Sequence, residues 1–281
     1  MVVVTPGPLT TVQDLGRPGL AALGVGASGA ADRGSLRLAN RLVGNAESAA
    51  GLELTLGNLK VRFDETAIVA VTGAPCSVKV GERAAGMDSP IAVRPGEVVA
   101  IGPPSSGVRT YLAVRGGVAV PPILGARSTD TLSGLGPEPV RAGTVLPIGT
   151  ETTGFPRVDH APVRKGSGDA VLRVIPGPRA DWFEADALRT LGSEPYVVTT
   201  ESNRIGVRLD GPELRRAESA ELPPEGMVRG ALQVPPRGRP VLLLADHPVT
   251  GGYPVIAVVA EEDLDRAGQL RPGERVRFRL S

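Results

Sequence analysis

Residues 2–8 read Val2-Val3-Val4-Thr5-Pro6-Gly7-Pro8, and residues 172–178 read Leu172-Arg173-Val174-Ile175-Pro176-Gly177-Pro178. An apolar, β-branched run closed by Pro-Gly-Pro is a strand ending in a turn, and here it occurs twice. Three further pairs follow in the same order. Asn40-Arg41 with the strand Leu52–Leu56 is answered by Asn203-Arg204 with Ile205–Leu209. Gly96–Gly107 with Tyr111–Val114 is answered by Gly238–Gly251 with Val255–Val259. Arg141-Ala142-Gly143 is answered by Arg271-Pro272-Gly273 before Arg275–Leu280. The spacing between matched residues shrinks along the chain, so the second copy is the shorter. A repeated order of this kind predicts two related domains, a first over 1–160 and a second over 161–281. The junction falls in Thr150–Ala170, which has scattered Pro and Gly and the charged run Arg164-Lys165-Gly166-Ser167-Gly168-Asp169.

Within each copy the pattern is β. The 37 glycines and 27 prolines are spread through all 281 residues as turn punctuation. Between them lie short Val/Ile/Leu runs: Ala67–Val71, Ser77–Val80, Ile91–Val93, Glu97–Ile101, Val108–Val114 and Val145–Ile148. Leu20–Leu23 reads as another short strand. Closure into barrels removes the edges of so many short strands, so the expected fold is mainly β, two tandem barrels with a few short helices. One helix follows Gly24-Val25-Gly26-Ala27-Ser28-Gly29. Asp32 is its N-cap, Leu36, Ala39, Leu42 and Val43 recur at helical spacing, and Gly44 stops it. That G-x-G-x-x-G, with Glu53 on the next strand, imitates a dinucleotide-binding unit. The hundred residues after it supply strands without helices, which argues against that fold. Ala180–Leu191 is expected as a second helix ending at Gly192.

Composition narrows the function. Net charge is +1 and aromatics are 3 %, which gives no electrostatic or stacking case for nucleic acid. No apolar run reaches 18 residues and no basic-then-apolar leader is read, so neither a membrane nor a signal peptide is expected and the cytoplasm is the default. The single Cys76 excludes an internal disulfide and reads as a small buried residue. His160 and His247 lie far apart, so no metal cluster is read.

Three polar loops remain as candidates. In Thr11-Val12-Gln13-Asp14-Leu15-Gly16-Arg17-Pro18-Gly19, an arginine and a carboxylate sit on a Gly/Pro-fixed loop. They can grip an anion or planar polar ligand, or simply hold the loop. Glu201-Ser202-Asn203-Arg204-Ile205-Gly206 places polar groups before a strand. In Asp246-His247-Pro248-Val249-Thr250-Gly251-Gly252-Tyr253-Pro254 the glycine pair lets backbone approach a ligand, and Asp246, His247, Thr250 and Tyr253 can hydrogen-bond or move protons. The alternative there is a hairpin in which Asp246 caps backbone amides. Asp14, Arg17 and Asp246 are the catalytic candidates. The loop Gly125–Gly136, with Arg127 and Asp130, is a functional rim or a surface connection.

These loops, with Ser28-Gly29-Ala30 and Asp32, Ala39-Asn40-Arg41-Leu42-Val43-Gly44-Asn45, Leu52-Glu53-Leu54-Thr55-Leu56, Tyr111-Leu112-Ala113-Val114-Arg115-Gly116-Gly117, Leu124-Gly125-Ala126-Arg127-Ser128-Thr129, Asp181-Trp182-Phe183 and Gln233-Val234-Pro235-Pro236, resemble the biotin-dependent carboxyltransferase-like family. That family includes KipA, the C subunit of the ATP-dependent 5-oxoprolinase, and allophanate hydrolase subunit 2. The Asp246-His247-Pro248-Val249 segment departs from the family pattern. The resemblance implies tandem cyclophilin-like barrels. It implies one component, inactive alone, of a complex that opens 5-oxo-L-proline to L-glutamate. The partners it implies are a KipI-like protein (the B subunit) and a LamB/YcsF-like protein (the A subunit). ATP, with Mg2+, is then a co-substrate. The alternatives it carries are a carboxyltransferase- or allophanate-hydrolase-type chain that acts on urea, allophanate or a related amide, and a non-enzymatic KipA-like regulator that binds a KipI-like kinase inhibitor. It implies substrate or nucleotide contacts at Gln13, Asp14, Arg17, Ser28, Asp32, Arg41, Asn203, Arg204, Thr250, Gly251, Gly252 and Tyr253. No Met-Lys-Met biotin acceptor and no G-x-x-x-x-G-K-[ST] loop occur, so no biotin is expected on this chain and any nucleotide site is built differently.

Overall fold

The computed structural model describes residues 1–155, 158–161, 169–218 and 220–281. Most of the charged run 164–169 lies outside the described residues. The chain forms two compact units. The first holds Met1–Arg17, Ser28–Asp130 and Gly134–Lys165; the second holds Pro18–Ala27, Thr131–Ser133 and Gly166–Ser281. Two stretches of the N-terminal half therefore group with the second unit.

The first unit runs β1 (Val2–Thr5), β2 (Leu9–Gln13), α1 (Arg33–Leu42), β3 (Gly51–Thr55), β4 (Leu59–Arg62), β5 (Ala67–Gly73), β6 (Val78–Val80), β7 (Arg83–Ala85), β8 (Ile91–Val93), β9 (Val98–Ile101) and β10 (Arg109–Val114). Its strands form two sheets, ordered β1-β4-β9-β6-β7 and β2-β3-β10-β5-β8. Val3, Val61, Val99 and Ile101 of one sheet and Val12, Leu52, Val71 and Leu112 of the other share one core. All of β10 is buried, because alternate side chains face opposite ways and both faces are covered. Leu112 and Val114 enter the core, while Ala113 and Tyr111 meet α1 through Ala39, Leu42 and Leu36. Asp32 caps α1 by accepting from the Ser35 amide at 2.9 Å, and Gly44 follows its end with φ +71°. Cys76 packs half-buried against the same core.

The second unit runs β11 (Ala170–Pro176), α2 (Ala187–Ser193), β12 (Tyr196–Val198), β13 (Gly206–Asp210), β14 (Glu225–Gly226), β15 (Ala231–Gln233), β16 (Val241–Leu243), β17 (Thr250–Gly251), β18 (Val255–Val259), α3 (Leu264–Ala267) and β19 (Arg275–Leu280). Seven strands close a barrel in the order β11-β18-β15-β16-β13-β12-β19. The last strand completes it by running parallel to β11, with Leu172 opposite Phe278. Leu172, Val174, Leu209, Leu232, Leu242, Ile256 and Phe278 fill the interior. The short pair β14–β17 stands outside the barrel.

Four sequence expectations need correction. Leu20–Leu23 is no strand; Ala21–Leu23 is a single 3-10 turn. Val145–Ile148 makes only isolated bridges, Val2 to Val145 and Val118 to Ile148, since Pro147 has no amide to donate to a ladder. The Ala180–Leu191 helix is broken. Ala180–Trp182 is a 3-10 turn, Phe183 is extended at φ −112°, ψ 159°, and Gly192 lies inside α2 rather than ending it. Phe183 is buried in the barrel core, and that burial outweighs the helical preference around it. Finally, Asn40 is on α1 whereas Asn203 is in a turn, its Oδ1 accepting from the Ile205 and Gly206 amides. Those two Asn-Arg pairs are not structural equivalents.

Among the described residues, no helix is long and apolar enough to cross a membrane.

Candidate functional site

In the first unit the strand β2 delivers Gln13 and Asp14 into the buried loop 127–130. Asp14 is spent on that loop. Its Oδ1 accepts from the Gly16 amide at 2.8 Å and from the Ser128 hydroxyl, and its Oδ2 accepts from the Arg127 amide at 2.6 Å. Its own amide donates to Ser128 Oγ at 3.1 Å. A carboxylate holding three donors is a clamp.

Gln13 and Arg17 differ. Arg17 is 2 % exposed. Its Nη2 donates to the Ser128 carbonyl, and its Nε and Nη1 are buried without a partner. Gln13 is fully buried, its Nε2 donating to Thr129 O at 2.8 Å and Thr11 Oγ1 at 3.1 Å. The Thr129 carbonyl can only accept, which fixes the amide's orientation and leaves Gln13 Oε1 buried without a partner. Ser28, at φ +52°, donates to the same Thr129 carbonyl at 3.1 Å. Gly29, at φ +95°, lies so close to Leu15 and Gly16 that a Cβ would meet their backbone at 2.8 Å. The glycine-rich loop before α1 is therefore a packing requirement of this site.

Behind it, Glu53 is buried, accepting from the Ala31 amide at 2.9 Å and the Tyr111 hydroxyl at 2.7 Å, with Arg109 at 3.3 Å. Tyr111 OH in turn accepts from the Asp32 amide at 2.8 Å. Burial first, then the charges of Glu53 and Asp32, pushes the Tyr111 phenol well above its ordinary pKa, so it stays a donor to Glu53. This network supports the entry to α1, and Glu53 is enclosed in it. Arg41 is elsewhere, on the exposed face of α1, paired with Glu47 at 2.7 Å.

In the second unit Arg204 and Asp246 meet as a buried fork. Nε reaches Oδ2 and Nη2 reaches Oδ1, both at 2.8 Å. Asp246 Oδ2 also accepts from the amide and hydroxyl of Thr131 at 2.9 and 2.7 Å. Asp246 thus combines the backbone-capping role with an ion pair. His247 faces its neighbour, Nδ1 lying 2.8 Å from Pro248 O.

Thr250 and Gly251 form β17, and a Cβ on Gly251 would meet Gln233 Nε2 at 2.5 Å. Gly252 and Tyr253 line a cleft of about 1030 Å³ with Glu184, Glu213, Arg216 and Leu222 among its walls. The Arg216 guanidinium lies 5.9 Å from the centre of the Tyr253 ring. Its Nη2 donates to the Val234 carbonyl and its Nε is buried without a partner. Desolvation lowers its pKa, opposed by Tyr253. Sequence reasoning missed Arg216. Its only signal is an arginine pair, Arg215-Arg216, in a stretch otherwise rich in glutamate and proline.

Fold and sites together define a protein of mainly β units whose inter-strand loops bury arginines, a chemistry suited to small polar or anionic groups. The chain belongs to the carboxyltransferase domain family, subdomains A and B, which matches residues 23–280. It is 36 % identical over 279 residues to the 5-oxoprolinase C subunit of Escherichia coli K12, covering 98 % of this chain and 89 % of that protein. It is 35 % identical over 303 residues to urea amidolyase of Lachancea kluyveri, covering 98 % of this chain but only 16 % of that longer protein. The crystal structure of the K. lactis urea amidolyase superposes with a TM-score of 0.92 at 32 % identity, over 99 % of this chain and 18 % of that one.

Proposed function

We propose that this chain is the C subunit of an ATP-dependent 5-oxoprolinase, inactive alone, whose partners are a KipI-like protein in the B position and a LamB/YcsF-like protein in the A position. The family and the 36 % identity to a 5-oxoprolinase C subunit support the class of reaction. The observation that carries the substrate is the unsatisfied set at Gln13 and Arg17: two buried N–H donors and one buried carbonyl acceptor on a single loop. A five-membered lactam holds its amide cis, so it presents C=O and N–H side by side. Arg17 Nε or Nη1 would donate to that carbonyl, and Gln13 Oε1 would accept from that N–H. Entry requires the turn at Gly16 to open against the hold of the Asp14 carboxylate on the Gly16 amide.

An unstrained lactam is a poor electrophile. ATP activates it by phosphorylating the carbonyl oxygen. Water then adds at that carbon and the ring C–N bond breaks with a proton passing to the nitrogen, leaving a γ-glutamyl phosphate. A second water hydrolyses this acyl phosphate, giving L-glutamate, ADP and phosphate. Arg17 holds the carbonyl oxygen for transfer and balances the charge that develops on it. Asp14 keeps the loop in register, its oxygens engaged by the Gly16 and Arg127 amides and the Ser128 hydroxyl. ATP and Mg2+ are assigned to the partner chains.

The same donor–acceptor edge fits a urea-type amide, and the likeness to urea amidolyase keeps that as the second reading. Purified chain with its native partners, assayed for ATP-dependent glutamate release, separates the cases. Release that requires this chain supports the proposal. Turnover of urea or allophanate instead supports the second reading. Tight partner binding with neither activity leaves a regulatory role.

A further inference from the structure

We propose that the cleft of the second unit binds a neutral amino acid as its zwitterion. This is independent of the lactam reading, because it concerns different residues and a different ligand. The cleft is large enough for a small metabolite at about 1030 Å³. Its charges are arranged in two levels. Arg216 is half-buried at the wall, set against the exposed Tyr253 ring. Four glutamates, Glu184, Glu213, Glu218 and Glu221, are exposed around it with Arg215.

None of these four carboxylates makes an ion pair with Arg216 among the described residues. The guanidinium keeps one buried N–H without a partner while acids line the same cleft. A partly desolvated cation left without an acid is a site for an external carboxylate. The rim selects what else that ligand carries. Four carboxylates against two guanidiniums leave the lining negative, so a triphosphate or a dicarboxylate is repelled and an ammonium group is attracted. A molecule with one carboxylate for Arg216 and one ammonium for the acidic rim matches both levels. Its side chain would lie on the Tyr253 face.

The chain carries one tryptophan, and it reports on this cleft. The Trp182 carbonyl accepts from the Ala217 and Glu218 amides at 2.9 and 3.3 Å, and both residues line the cleft. The test titrates the intact chain by calorimetry, with Trp182 emission as the locator. The probes are L-glutamine, its des-amino analogue glutaramate, and inorganic phosphate. Saturable binding of glutamine is expected, with a change in Trp182 emission and at least about tenfold preference over glutaramate and phosphate. Arg216→Gln should weaken glutamine by about tenfold or more. Replacing all four exposed glutamates by glutamine should leave the fold intact by circular dichroism and abolish the preference for glutamine over glutaramate. If Arg216→Gln fails to fold, that second variant decides. No saturable glutamine binding, equal binding of glutaramate or phosphate, or wild-type behaviour of the variants would overturn the proposal. Glutamate release by the reconstituted complex is a separate readout, so either idea can fail alone.

Discussion

Asp14 and Arg17 were indistinguishable as candidates in the sequence, three positions apart on one loop. The structure gives them opposite energetics. Removing the Asp14 carboxylate strands the Gly16 and Arg127 amides and the Ser128 hydroxyl. Asp14→Ala should therefore cost about 2–4 kcal/mol of stability, read as a lowered urea midpoint. Arg17 makes one internal hydrogen bond and leaves two N–H groups unpaired. Arg17→Met keeps the length and removes that unmet desolvation, so its stability should stay within about 1 kcal/mol of wild type. Turnover of the reconstituted complex should nevertheless be lost. A strongly destabilised Arg17→Met protein would make the arginine structural and remove the basis for the substrate assignment.

Elements were more legible than sites. Ile91–Val93, Val255–Val259 and Arg275–Leu280 are strands at the bounds their β-branched runs and flanking turns indicate. Helix α1 starts and stops at the Asp32 and Gly44 signals. What escaped are segments whose state is set by distant partners. Tyr196–Val198 is three residues long, and it is a strand because β13 and β19 flank it. The Phe183 break exists because the barrel has a place for that ring. The polar loops were legible as loops, but which of their groups are satisfied depends on residues over a hundred positions away, such as Ser128 for Asp14. Spacing carries no record of that. Arg216 lay hidden for the same reason.

One tie between elements has a pH signature. Asp263 receives the Arg173 amide and Nε at 2.8 and 2.9 Å on Oδ2, and Nη2 at 3.0 Å on Oδ1. These contacts, the Arg173 side-chain hydrogen bonds first, hold its pKa below the ordinary 3.8 against the opposing effect of burial. Its stabilisation is therefore complete above that ordinary value and disappears as pH falls through the lower folded one. Asp263→Asn should lower the melting temperature at pH 7, by an amount equivalent to about 1–2 kcal/mol. It should also flatten the loss of stability below about pH 4. An unchanged acid limb in the variant would show that Asp263 is not among the groups that set it.

At the scale of the whole molecule, each unit has its own core, yet the chain does not assign its residues to them in order. Thr131 belongs to the second unit and gives Asp246 two of its donors. A fragment of residues 169–281 contains every barrel strand but lacks those donors. It should be less stable than the same unit in the intact chain by about 2–3 kcal/mol, measured by urea unfolding followed at Trp182.

The consequence reaches recombination between relatives. A hybrid joined in the 150–170 stretch would take its barrel from one parent and its 131–133 tripeptide from the other. The Arg204–Asp246 fork would then depend on a foreign hydroxyl and a foreign backbone path. A working chimera has to carry the tripeptide, and the 18–27 excursion, along with the C-terminal barrel. The inheritable module here is thus a patchwork of three separate stretches, and a crossover placed by sequence order alone would cut through it.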